Sequence, residues 1–181
     1  MIEKIVQLDK AKWQDYPLPF RFTSYNYYDA EIMRTGDNFS VSFTKKPFEQ
    51  AYEKTPDSQE KLFQDWYDDA VAWGIEDGDR LLAAIETCVE TWNNRLRINE
   101  LWVDDSCRRM GVATALMNIA IKRAKDEGRR AVILETQSNN EGAVKFYLQY
   151  GFSLAGFDTC AYQNDDVSRK EVRLEFVYYL E

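Results

Sequence analysis

The run Asp104-Asp105-Ser106-Cys107-Arg108-Arg109-Met110-Gly111-Val112-Ala113-Thr114 joins an apolar strand to a helix. Two arginines precede a glycine where the helix begins, and a helix start offers backbone N–H groups without intrahelical acceptors at the positive end of its dipole. Such a junction is suited to an anion, here a pyrophosphate. A Walker loop would need Gly-Lys-Ser/Thr, and the dinucleotide fingerprint would need two further glycines. The same run also has a structural reading, a glycine making a tight turn with its arginines in solvent.

The residue types that are missing narrow the chemistry. The chain has no His, which excludes Ser/His/Asp and Cys/His catalytic groups, HExxH metal sites and Cys/His zinc clusters, so no metal is expected. Cys88, Cys107 and Cys160 are odd in number and form no CxxC, which argues against a disulfide framework and fits a reducing cytoplasm. Without a His to lower a thiol pKa, a cysteine nucleophile is not expected either.

These residues need elements to hold them. From Gly111 to Glu127 the apolar positions Val112, Ala115, Leu116, Ile119, Ala120 and Ala124 follow the helical period, and Gly128 supplies a stop. Before it, Ala70–Ile75, Leu81–Trp92 and Leu96–Val103, separated by Glu76-Asp77-Gly78-Asp79 and Asn93-Asn94, read as three antiparallel strands. Ala131–Leu134 is a buried strand that a right-handed crossover places parallel to Leu96–Val103. A second helix runs from about Glu141 to Gln149, with Gly151 past its end, and Val172–Tyr179 alternates as a last strand. Its two apolar faces fit either burial within one chain or a homodimer contact.

Upstream, Arg34-Thr35-Gly36-Asp37-Asn38 turns a hairpin between Ala30–Met33 and Phe39–Phe43. Asp57 and Glu60 cap a short helix carrying Leu62, Phe63, Trp66, Tyr67 and Ala70. The fold class is therefore α/β with a mixed sheet, in a single domain over 1–181.

The chain has 181 residues, 45% of them hydrophobic, as in a soluble globular protein. Its net charge of −8 repels phosphate backbones and anionic membranes, so neither nucleic acid nor membrane is an expected partner. Met1-Ile2-Glu3-Lys4 lacks a signal peptide's apolar stretch and no window is long and apolar enough to span a bilayer. An acidic chain with 14% aromatic residues suits a cationic amine.

Arg108-x-x-Gly111-x-Ala113, between strand and helix, resembles the acetyl-CoA loop of the GNAT superfamily of N-acetyltransferases. Asn140-x-x-Ala143-x-x-Phe146-Tyr147-x-x-x-Gly151-Phe152 resembles the second half of that family's CoA site, in the right order after the intervening strand. Within the superfamily, Trp92-Asn93-Asn94-Arg95-Leu96 and Gly156-Phe157-Asp158-Thr159-Cys160-Ala161-Tyr162 are similar to runs in streptothricin acetyltransferases. Ala113 stands where many members have Gly.

The resemblance implies a GNAT-like fold, a central, mostly antiparallel mixed sheet flanked by helices, with acetyl-CoA as co-substrate. Main-chain groups of Leu101, Trp102 and Val103 would meet the pantetheine amides by strand addition. Arg108, Arg109, Met110, Gly111, Val112, Ala113 and Thr114 would hold the pyrophosphate. Asn140, Ala143 and Tyr147 would complete the CoA site, with Tyr147 also protonating the departing thiolate.

Acyl transfer needs a neutral amine, and a Lys-like amine has a pKa near ~10.4, so a base must take its proton. Glu100, one residue before the pantetheine stretch, is the first choice. Glu86 and Glu90, which share a strand face with Cys88, are the runners-up. Glu86, Glu90, Trp92, Asp158 and Tyr162 are the candidates around the acceptor. Each has a structural alternative as well: solvated strand carboxylates, a helix cap for Asn140, core packing for Tyr147. The implied reaction is direct acetyl transfer to a primary amine of a small cationic acceptor such as the β-lysine group of streptothricin, which would confer antibiotic resistance. Acceptors of other kinds, a peptide amino terminus, a Lys side chain or a polyamine, stay open, as does a non-catalytic CoA-binding regulatory module.

Overall fold

The computed structural model describes residues 2–56, 59–67 and 69–180. In chain order its elements are β1 (Val6–Gln7), α1 (Lys10–Trp13), β2 (Phe22–Thr35), β3 (Asn38–Lys54), β4 (Val71–Asp77), β5 (Arg80–Glu90) and β6 (Arg95–Val103). There follow α2 (Val112–Asp126), β7 (Ala131–Gln137), α3 (Glu141–Tyr150), β8 (Ser153–Asp158), α4 (Asp166–Arg169) and β9 (Arg173–Tyr179). Seven strands form one sheet in the order β1-β4-β5-β6-β7-β9-β8, and β2 pairs with β3 in a separate two-stranded sheet. The large sheet is mixed and mostly antiparallel, as expected: β1, β4, β5 and β6 pair antiparallel in turn, while β6 and β7 run parallel across the α2 crossover.

The chain divides into two compact units, one of Met1–Phe20, Pro56–Leu134 and Val177–Glu181, the other of Arg21–Thr55 and Glu135–Phe176. In the first, α2 buries Val112, Leu116, Met117, Ala120, Ile121 and Ala124, the stripe that the helical period selects, and packs on β5 and β6. The opposite face of those strands is covered by a core of Leu8, Trp13, Leu18, Leu62, Phe63, Ala72, Leu81, Ala84 and Trp102.

In the second unit, α3 buries Val144 and Tyr147. Tyr147 stands with its ring 5.9 Å from Phe152 and 6.1 Å from Phe176. Gly151 ends α3 at φ +112, a conformation that costs glycine little, and its N–H donates to the carbonyls of Tyr147 and Leu148.

Three expectations are corrected. The helix expected to carry Leu62, Phe63, Trp66, Tyr67 and Ala70 is absent among the described residues there, which form turns, and its cap residue Asp57 lies outside the described residues. Phe63 and Asp69 both take φ +54, which no α-helix accommodates. The segment instead pairs with residues 15–18: Leu62 N–H donates to Tyr16 O, Leu18 N–H to Glu60 O and Asp15 N–H to Leu62 O. The hairpin is far longer than expected, with Thr35 opposite Asn38 and Phe22 opposite Lys54. Finally, β8, largely exposed, was not anticipated. In the last strand, β9, which lies between β7 and β8, Leu174, Phe176 and Val177 are buried within the chain.

Candidate active site

The first half of the site is an interruption in β6. This strand pairs with β5 from Glu90 opposite Arg95 to Thr87 opposite Ile98, and again from Glu86 opposite Glu100 to Ala83 opposite Val103. Two residues of β5 thus face three of β6, which makes Asn99 the extra residue of a β-bulge. On its other edge β6 meets β7 only at Arg95, Leu96 and Arg97, opposite Ala131, Val132 and Ile133. The parallel ladder therefore stops just before the bulge. Beyond it, among the described residues, the β7-side edge of Leu101, Trp102 and Val103 has no ladder partner, and an extended ligand bearing amides can add there as a strand.

The edge leads into the arginine-glycine loop. Asp104 caps a short turn by accepting from Ser106 N–H and Oγ–H, and these bonds hold its carboxyl below the usual carboxylate range. Arg108 Nε lies 3.0 Å from Asp105 Oδ1 and 3.4 Å from Val103 O. Arg109, Met110 and Gly111 are exposed. Arg109 and Gly111 both have positive φ, +61 and +79, so the chain reverses sharply before α2. Gly111 is the N-cap of α2, and among the described residues no side-chain cap bond is made there. A Cβ on Gly111 would meet only Ile2 Cδ1, at 3.6 Å, so the space above the first turn is open. Its first-turn N–H groups, from Val112 to Thr114, have no intrahelical acceptor and can bind a pyrophosphate.

The carboxylates separate into three environments. Glu100 is half-buried on β6 beside Leu101. Glu86, directly opposite it, has no solvent exposure at all. Glu86 Oε2 accepts from Phe63 N–H at 2.5 Å and Oε1 from Asn99 Nδ2 at 3.1 Å. Burial pushes its pKa up, against the pull of those two bonds. In contrast to the expectation of an acceptor contact, both Glu86 oxygens are engaged within the fold and its side chain is sealed from solvent. Glu90 closes the β5–β6 turn, accepting from Asn93, Arg95 and Arg97. Burial raises its pKa, but those three partners outweigh it and the net shift is downward. Trp92 stands in the same turn, 83% exposed, with the Arg95 guanidinium 5.9 Å from its ring centroid. Both sit at the end of β6 remote from Val103.

In the second unit Asn140 is the N-cap of α3, its Oδ1 accepting from Ala143 N–H at 3.2 Å. Glu141 N–H donates to Ser24 Oγ, while the Glu141 carboxylate accepts from Asn26 and pairs with Lys45 Nζ at 2.5 Å. These bonds fix the β2–β3 hairpin on α3, an anchor that no local sequence signal announced. Asp158 accepts from Cys160 N–H, which lowers its pKa, and is exposed. The Tyr162 hydroxyl accepts from Gln137 Nε2 at 3.3 Å, and burial, with Glu135 nearby, pushes its pKa up to about 12.

Asn99, the bulged residue, escaped the sequence reading. The available signal was an Asn, a poor strand former, in the middle of an apolar strand.

A mixed sheet whose parallel pair opens before an uncapped helix start defines an acyl-CoA-binding N-acyltransferase architecture. Residues 38–152 match the Acetyltransferase (GNAT) family, and the chain belongs to that family. Streptothricin acetyltransferase of Escherichia coli is 31% identical over 152 residues, covering 84% of this chain and 79% of that protein. Other matches are local: an uncharacterized N-acetyltransferase of Methanocaldococcus jannaschii is 47% identical over 55 residues, only 24% of its length. Among solved structures, nourseothricin acetyltransferase superposes with a TM-score of 0.76 at 23% identity, covering 98% of both chains. A Bacillus anthracis str. Ames protein solved in complex with acetyl coenzyme A gives 0.74 at 24% identity, covering 97% of this chain and 98% of that one. At these identities the structures establish the shared fold. No helix among the described residues is long and apolar enough to cross a membrane.

Proposed function

We propose that this protein transfers the acetyl group of acetyl-CoA directly to a primary amine of a small cationic acceptor, and that the acceptor is streptothricin. The observation that carries the transfer is the edge of β6 that, among the described residues, has no ladder partner after Arg97 and runs into the glycine-capped start of α2. The acceptor is supported by the Escherichia coli relative and by the net charge of −8.

Acetyl-CoA supplies a thioester already activated for transfer. Main-chain groups of Leu101, Trp102 and Val103 hold its pantetheine amides. The N–H groups from Gly111 to Thr114, with Arg108 and Arg109, hold its pyrophosphate, and Asn140 and Ala143 belong to the same CoA site by family position. In the reaction an N–C bond forms as the C–S bond breaks, and the amine loses a proton.

Glu100 takes that proton, because it lies on β6 next to the pantetheine stretch. Tyr147, by family position, returns a proton to the thiolate. Asp158 and Tyr162 contribute to acceptor recognition. The chain acts as a single domain.

The test is release of free CoA thiol from acetyl-CoA with streptothricin, spermidine, an aminoglycoside, lysine and a short peptide offered in parallel. Turnover confined to streptothricin is expected. Faster turnover of another amine would replace the acceptor, and silence with every amine, despite acetyl-CoA binding, would favour a non-catalytic CoA-binding module.

A further inference from the structure

A buried carboxylate with both oxygens hydrogen-bonded within the fold stands where β6 leaves β7. We propose that Glu86 is a positioning residue for the acyl-CoA strand: it clamps the bulged Asn99 and thereby fixes the direction in which Glu100–Val103 leave the sheet. The proposal rests on the reading of β6 as the pantetheine-binding strand.

The bulge is held from both faces of β5. On one face the Asn99 side chain bridges two β5 residues, donating from Nδ2 to Glu86 Oε1 at 3.1 Å and accepting from Cys88 Sγ at 3.1 Å. On the other face Thr87, the residue at the register shift, is bound by α2: Arg123 Nη1 donates to Thr87 Oγ1 at 2.7 Å and to Thr87 O at 3.3 Å. The Arg123 guanidinium also stands 5.7 Å from the Trp73 ring centroid on β4. A bulge sharpens strand twist and re-aims the residues after it, so the orientation of the Leu101–Val103 edge depends on how firmly Asn99 is held.

Glu86 also reaches beyond the sheet. Phe63, which donates its N–H to Oε2, is buried at φ +54, a strained conformation for a non-glycine residue that needs surrounding contacts to persist. One carboxylate thus ties the covering segment, the bulge and the acyl-CoA strand together. A hydrophobic residue at this position would leave Phe63 N–H and the Asn99 amide unsatisfied in a buried setting, whereas a carboxylate accepts from both.

The chemistry distinguishes positioning from proton transfer. In Glu86→Gln the new side chain can accept from Phe63 N–H through its oxygen and donate to Asn99 Oδ1 once the Asn99 amide turns over, leaving Asn99 Nδ2 facing Cys88 Sγ. The conservative variant therefore preserves the clamp while abolishing titration. Glu86→Ala and Asn99→Ala each remove it.

The experiment measures acetyl-CoA affinity by calorimetry, with kcat, KM and the pH–rate profile, for these three variants and the Glu86→Ala/Asn99→Ala double variant. Glu86→Gln is expected to keep affinity and pH profile close to those of the unsubstituted protein. Asn99→Ala and Glu86→Ala are expected to weaken acetyl-CoA binding by about tenfold or more through misplacement of the strand. The double variant should be no worse than the weaker single one, because both remove the same interaction. Should Glu86→Ala fail to fold, Asn99→Ala, which keeps Phe63 N–H bonded to Glu86 Oε2, carries the same expectation. Unchanged affinity in folded Asn99→Ala overturns the proposal, as does a Glu86→Gln variant with kcat reduced as far as in Glu86→Ala and its acid limb displaced. Failure of the unsubstituted protein to bind acetyl-CoA overturns the functional reading itself, which separates the two.

Discussion

The starts of α2 and α3 are two solutions to the same electrostatic problem. Each presents N–H groups without intrahelical acceptors at the positive end of a helix dipole. At α3 the fold uses them: Asn140 Oδ1 takes Ala143 N–H, Ser24 Oγ takes Glu141 N–H, and the Glu141 carboxylate adds a negative charge to the first turn. At α2 the cap is a glycine that makes no side-chain cap bond, the first turn has no acidic residue, and two arginines precede it. A helix start that is satisfied internally anchors a hairpin, and one that is left unsatisfied is available to a phosphate. The two motifs resemble halves of one CoA site in sequence, yet only the α2 end is left open by its own side chains.

The largest effect should come from filling the open end. Gly111→Asp puts a carboxylate at a positive-φ position facing the first turn, and acetyl-CoA binding should fall below detection in calorimetry, with a stability cost of only about 1–2 kcal/mol. Retained affinity would mean that the phosphates lie elsewhere. Next, Tyr147→Phe should keep acetyl-CoA affinity but slow turnover by about a hundredfold, while Glu100→Gln should displace the acid limb of the pH–rate profile. Equal loss of binding in both would contradict their assigned roles.

A smaller effect is expected at the closed end. Asn140→Ala should lower stability by about 1 kcal/mol in chemical denaturation. A loss of acetyl-CoA affinity without that destabilisation would show that the cap is secondary to ligand contact.

The subtlest expectation concerns pH and has opposite signs at two carboxylates. Burial opposes ionisation of Glu141, but Lys45 and Asn26 prevail and its pKa lies below 4.5 in the fold. Its stabilisation is therefore present above the unfolded value and lost as pH falls through the folded one, so Glu141→Gln and the unsubstituted protein should converge in melting temperature on acidification. Glu86 is shifted above 4.5 by burial. The folded state there keeps a proton that the unfolded chain has released, and stability falls as pH rises above 4.5. Glu86→Gln should remove that part of the decline. Parallel melting curves against pH for both variants would contradict this contrast.

Local chemistry made much of this legible in advance. The helical period, Gly111 before α2, Gly128 after it, and Asn140 and Gly151 around α3 act within a turn or two of the chain, and each element they mark is present. Failure came where a distant segment decided the conformation. Leu62, Phe63, Trp66, Tyr67 and Ala70 have helical spacing, but backbone pairing with residues 15–18 and Phe63 at φ +54 turn them into a loop that buries Leu62 and Phe63 and leaves Trp66 exposed.

The same division holds at the site. By itself the sequence determined the arginine-glycine loop, the helix it opens, the strand that feeds it and the absence of histidine chemistry, because each is a matter of residue type and short spacing. Only the tertiary structure decided that Glu86 is sealed beneath Phe63 and clamped to Asn99, that Glu90 and Trp92 belong to a turn, and that β6 parts from β7 after Arg97. Those outcomes depend on the register between strands far apart in the chain and on which face of the sheet becomes covered, and neither is encoded in the spacing of neighbouring residues.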